Sequence, residues 1–151
     1  MSKAYFAYGS NLWIDQMVAR IGPIRQGAGR PRIARLPNYR LTFNMQGEDG
    51  QVFANLMSPG QGVLGVVYRC SSEALLRMDQ YEKGYERRQV QIVLENGVEL
   101  NAVTYIAQTS QTEGVSQPSA EYLQRILRGA RQHGLPEAYI KEIQAVAIAG
   151  K

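Results

Sequence analysis

The chain has 151 residues, a net charge of +4, one Cys and one His. That length suits a single domain, 1–151, able to bury a real core, and 44% hydrophobic against 20% charged residues excludes a disordered chain. The lone Cys70 rules out an internal disulfide, a cysteine zinc site and a dithiol centre, and the lone His133 rules out any site needing two histidines.

Lys3–Tyr8 is a short aromatic-rich apolar run and predicts a buried strand. Gly9-Ser10-Asn11 breaks it, and Leu12, Ile14, Met17, Val18 and Ile21 then recur at helical spacing, with Ser10 or Asn11 as the expected N-cap. Residues 16–47 carry six arginines and no acid, so the rest of the chain is net negative. Without a nucleic-acid motif, such a surplus reads as a solvated face. Strands are expected at Arg32–Leu36, Tyr39–Met45, Val52–Met57 and Val63–Arg69, with a hairpin turn at Glu48-Asp49-Gly50.

Ser71 or Ser72 caps a short helix reaching about Tyr81, and Gly84 stops it. Val90, Ile92 and Leu94 alternate in a strand, Asn96-Gly97 signals a tight turn, and Glu99–Ala107 returns. Gln108–Pro118 reads as a surface loop. A helix follows from about Ser119 to His133, Gly134 stops it, and Pro136 opens a last helix through Ile143. Six or seven strands, many adjacent in sequence, with several short helices predict a mixed α+β fold rather than a doubly wound one. No apolar run has membrane-spanning length and no signal peptide is recognisable, so a cytoplasmic location is expected.

Three features carry possible chemistry. A glycine between a buried strand and a helix lets backbone approach a ligand, and the first-turn N–H groups favour an anion or developing oxyanion; the same residues also make an ordinary cap. Leu75, Met78 and Glu82 follow at i, i+3 and i+7, so Glu82 continues an apolar stripe. A carboxylate there tends towards a raised pKa and suits a general base; otherwise it pairs with Lys83 or Arg87. Tyr8, Tyr85 and Tyr105 sit in or beside strands, as core aromatics or as hydroxyls that orient a polar ligand. Cys70 reads as packing and His133 as a helix C-terminal residue.

Taken together, Phe6-Ala7-Tyr8-Gly9-Ser10-Asn11-Leu12 after the first strand and Met78-Asp79-Gln80-Tyr81-Glu82-Lys83-Gly84-Tyr85 some 70 residues on resemble the gamma-glutamyl cyclotransferase-like family. The segment from Ile126 to Tyr139 is similar to that family's C-terminal helical region. The resemblance implies a small β-barrel-like mixed sheet with surrounding helices and a cavity at the end of the first strand. It implies cyclisation of a gamma-glutamyl group to 5-oxoproline with release of the attached amino acid or amine, with no cofactor or metal. Tyr8, Gly9, Ser10, Asn11 and Leu12 would bind the gamma-glutamyl moiety, Glu82 would be the acid/base, and Tyr85 and Tyr105 would face the substrate. The implied partner is a small gamma-glutamyl molecule, with neither nucleic acid nor membrane, and with oligomeric state left open. Met78 replaces the family's Leu, and Lys83 is inserted before Gly84, which would shift the local geometry or bring a cation to the substrate. The alternative is a non-catalytic binding or sensor module using the same cavity.

Overall fold

A computed structural model of the chain describes residues 2–22, 31–47, 49–107 and 117–149. Among the described residues, seven strands and four α-helices alternate irregularly. Five strands, β1 (Ser2–Ala7), β2 (Arg32–Leu36), β5 (Val63–Ser71), β6 (Tyr85–Leu94) and β7 (Glu99–Ala107), close into a barrel in the order β1-β5-β2-β6-β7. Every pairing is antiparallel except the β1–β7 seam, where Tyr5 faces Val103 in parallel register. The parallel seam puts the carboxyl ends of β1 and β7 on one rim, beside the start of β6, where Tyr85 opposes Ala107.

The remaining strands, β3 (Arg40–Gln46) and β4 (Val52–Met57), form a separate ribbon with an irregularity between Phe43 and Met45. Buried Asn55 fastens it to the barrel, accepting from the Ala107 amide at 2.8 Å, and is itself braced within the ribbon by donating to Asn44 at 3.0 Å. Helices α1 (Ile14–Ile21) and α2 (Ser72–Tyr81) pack together, and α3 (Ala120–Gln132) packs on the Ser10–Leu12 turn. Helix α4 (Glu137–Ala149) covers β3. One core, including Phe6, Phe43, Tyr68, Met78 and Ile126, runs between barrel, ribbon and helices.

The expected barrel-like mixed α+β fold is present. Two local expectations need correction. Neither Ser10 nor Asn11 caps α1: residues Ser10–Leu12 form a separate 3-10 turn, α1 begins at Ile14, and neither start has a side-chain cap. Both side chains are committed elsewhere, as described below. The last helix runs past Ile143 to Ala149, because the alanine-rich stretch after it contains no breaker before Gly150. Ser71 does cap α2, accepting from the Ala74 amide, and Gly84, Gly97 and Gly134 take the positive φ their turns need. Glu48, Arg25, Arg30 and most of the expected 108–118 loop lie outside the described residues.

Candidate active site

The end of β1 delivers the chain into a cavity of about 580 Å³. Its walls come from the Tyr8–Asn11 turn, the end of α2, the starts of β6 and α3, Tyr105 of β7 and the tip of the β3–β4 ribbon. Segments far apart in sequence converge because the barrel rim, the ribbon and two helix ends meet there.

Glu82 is the α2 C-cap, not a further helical residue. Its carboxyl group still turns inward, and its side chain retains only 15% exposure. Oε1 accepts from Asn11 Nδ2 at 3.2 Å and lies 3.7 Å from an Arg20 guanidinium nitrogen. Among the described residues, no protein group bonds Oε2, so that oxygen is available to a ligand. Burial pushes the Glu82 pKa up to about 7, with Arg20 and the Asn11 hydrogen bond pulling the other way. The expected pairing with Lys83 or Arg87 does not occur: Arg87 reaches Asp79 at 3.3 Å, and Lys83 is an exposed residue on the cavity wall. The inserted Lys83 is absorbed in a tight turn in which Tyr85 N–H bonds Glu82 C=O at 3.1 Å and Gly84 takes φ +86°.

Asn11 is buried and fully engaged. Its Nδ2 donates to Tyr5 Oη at 2.8 Å as well as to Glu82, while Oδ1 accepts from Gln16 Nε2 at 3.0 Å and Arg20 at 3.1 Å. Gln16 Nε2 also reaches Ser10 Oγ at 2.6 Å, and Gln16 Oε1 accepts from Arg125 at 3.3 Å. Gln16 and Arg20 lie four residues apart on α1 and so share the face towards the turn. Behind the turn, Leu12 C=O accepts from Tyr68 Oη at 3.0 Å and from His133 Nε2 at 2.8 Å. His133 thus ties α3 to the turn, and burial lowers its pKa. Leu12 itself is wholly buried and anchors the turn without lining the cavity.

The three expected tyrosines all reach the cavity, with hydroxyls bonded to protein. Tyr8 donates to Tyr105 C=O at 2.6 Å, Tyr105 to Asp79 Oδ1 at 2.5 Å, and Tyr85 to Ala54 C=O at 2.5 Å. Each keeps lone-pair capacity, and burial raises all three pKa values, so they remain neutral phenols. Cys70 packs in β5 away from the site, its thiol pushed up to about 11 by burial. Sequence reasoning missed Arg20, Asp79, Gln16, Tyr122 and the ribbon wall. Tyr122 Oη accepts from the Ala54 amide at 3.1 Å beside Gly9, leaving its own proton for another partner.

The AIG2-like family model matches residues 62–143. Gamma-glutamylcyclotransferases of Homo sapiens and Bos taurus are 30% and 32% identical to this chain, each alignment covering 94% of it and 77% of the relative. A solved gamma-glutamyl cyclotransferase superposes with TM-score 0.83 at 28% identity, covering 96% of this chain and 88% of that one. YkqA from Bacillus subtilis shares the fold at TM-score 0.85 and 23% identity, over 98% of this chain and 55% of its own. The chain belongs to the AIG2-like, gamma-glutamyl cyclotransferase-like family.

Proposed function

We propose that this chain cyclises a gamma-glutamyl group to 5-oxoproline, releasing the attached amino acid or amine, with Glu82 as general acid/base. The observation that carries this reading is the inward Glu82 carboxyl: a shielded group whose pKa burial raises, with one oxygen unbonded among the described residues, on the same cavity as the Gly9–Asn11 turn. The names of the relatives support the reaction class.

The substrate carries its own nucleophile. Its α-ammonium gives a proton to the Glu82 carboxylate, and the freed amine attacks the γ-carbonyl carbon. Ring closure gains from the high effective concentration of an intramolecular attack. Negative charge develops on the former carbonyl oxygen, and the amides of the Gly9-Ser10-Asn11 turn are the donors proposed for it; one such donor contributes about 3 kcal/mol in comparable sites. Glu82 then protonates the departing nitrogen as the old C–N bond breaks. The two protons shed by the ring nitrogen end on the leaving amine, which departs as an ammonium. Tyr8, Tyr85 and Tyr105 shape the pocket and offer lone pairs to the substrate's N–H groups. The cytoplasm is the compartment expected for this activity.

Purified protein incubated with a panel of gamma-glutamyl amino acids and amines should release 5-oxoproline, and Glu82→Gln should bind substrate yet release none. Turnover by Glu82→Gln within tenfold of the parent removes Glu82 from the chemistry. Substrate binding by the parent without any 5-oxoproline supports the non-catalytic module instead.

A further inference from the structure

We propose that Arg20 is a positioning residue that holds the Glu82 carboxyl oriented and ionisable, acting both directly and through the side-chain amide of Asn11. An arginine has only donors. The Asn11 atom facing Arg20 at 3.1 Å is therefore the carbonyl oxygen Oδ1, and the opposite Nδ2 must point at Glu82 Oε1. Gln16 is constrained the same way: its Oε1 faces Arg125, so its Nε2 faces Ser10 Oγ and Asn11 Oδ1. Two arginines thus fix the direction of two amides in series, and the series ends on the carboxyl group. Arg20 also places its own charge 3.7 Å from Oε1.

Arg20 is held for this task. It extends from the last turn of α1 across the end of α2, and its guanidinium stacks 5.1 Å from the centre of the Tyr81 ring. Its side chain is 22% exposed, so water only partly screens the charge. The other groups around Glu82 do not replace it. Tyr5, Tyr8, Tyr85, Tyr105 and Tyr122 face it as phenols from β1, the turn, β6, β7 and α3. Asp79 of α2 repels it and is paired with Arg87 of β6. Lys83 is exposed, and Arg125 is engaged by Glu121 at 2.6 Å.

The placement stands on geometry alone, whereas its catalytic consequence rests on the cyclotransferase reading. The experiment separates the two. Carboxyl groups of Glu-labelled protein are titrated by carbon-13 NMR, the Glu82 signal being identified by its loss in Glu82→Gln. Removing a cation at this distance raises a carboxyl midpoint by about one pH unit or more. Arg20→Met and Arg20→Gln should show that rise, while Arg20→Lys stays within about half a unit of the parent, since it keeps the charge. In turnover assays the acid limb of kcat/KM should move up with the NMR midpoint in the neutral variants. An unmoved midpoint in a folded neutral variant overturns the proposal, as does an equal shift in Arg20→Lys. So do unfolding of both neutral variants and a loss of activity at every pH with the acid limb unmoved, which mark a structural role. A moved midpoint in the neutral variants, alongside a parent that releases no 5-oxoproline, leaves the positioning role standing and removes only the reaction.

Discussion

Glu82→Gln tests stability as well as chemistry, because the burial that suits Glu82 to the proposed base role also makes its charged form expensive to fold around. Its folded-state pKa, about 7, lies above the ordinary value of 4.5, so the native state holds the proton more tightly than the unfolded chain. The stabilisation from that bound proton is fully present below about pH 4.5 and is lost as pH rises through about 7. The interval corresponds to about 3 kcal/mol, an upper bound because the side chain keeps 15% exposure. Glutamine copies the protonated acid: it still presents a carbonyl oxygen to Asn11 Nδ2 and carries no charge to desolvate. The variant should therefore match the parent near pH 4.5 and exceed it at pH 8.5 by about 2–3 kcal/mol, a Tm gain of roughly 5–10 °C. Urea or thermal unfolding of both proteins at the two pH values reads this directly. If the difference between them does not change with pH, or if the variant is the weaker at pH 8.5, Glu82 is not held against its own ionisation and the base assignment loses its physical footing.

Other expectations follow from single contacts. Parent kcat/KM should rise through an acid limb centred near pH 7, as Glu82 loses its proton; a flat profile from pH 5 to 9 would contradict this. A Cβ on Gly9 meets Ala54 Cβ and Tyr122 Oη at an ordinary 3.5 Å, so Gly9→Ala should fold with Tm within about 2 °C and lose at least tenfold in substrate affinity by calorimetry. Gly129→Ala should do the reverse. Its Cβ falls 2.4 Å from Leu12 C and Trp13 N, and the clash of α3 with the turn should cost about 2–3 kcal/mol in urea unfolding despite alanine's better helix propensity. Tyr68→Phe should cost about 1 kcal/mol by the same measurement, because His133 still satisfies the Leu12 carbonyl.

Turn chemistry and the main periodicities were legible one segment at a time. Asn96-Gly97, Ser71 and Gly84 act locally, so their structural roles follow from their neighbours in sequence. Glu82 was legible for a related reason: its offset from Leu75 and Met78 carries the stripe inward even though the helix ends at Tyr81. What resists sequence reading is competition for a side chain. Ser10 and Asn11 have the composition of helix caps, yet Gln16 and Glu82 claim them, and nothing near residue 11 announces Glu82, 71 residues away. Arg20 was hidden among the arginines of residues 16–47 because only the packing of α1 on α2 distinguishes it from Arg32, Arg35 and Arg40, which are exposed. The tyrosines were found as aromatics of the site, but that their hydroxyls brace Asp79 and Ala54 depends on the α2 end and the β3–β4 ribbon.

A base that works near neutral pH is normally a histidine, and this chain has one, bonded to the Leu12 carbonyl behind the turn. A carboxyl group left in water is a weak base, nearly always ionised and with little affinity for a substrate ammonium proton. Buried without partners, it would stay protonated and accept nothing. The site works between these limits. Tyrosine rings and the α2 end remove water from Glu82, while Arg20 and Asn11 return enough stabilisation to the charged form to keep the midpoint near 7. Among the described residues both contacts fall on Oε1, and in the proposed reaction Oε2 exchanges the proton. In the proposed reaction this arrangement lets a carboxyl group do a histidine's work, and it confines the electrostatic cost to one side chain on a cavity wall.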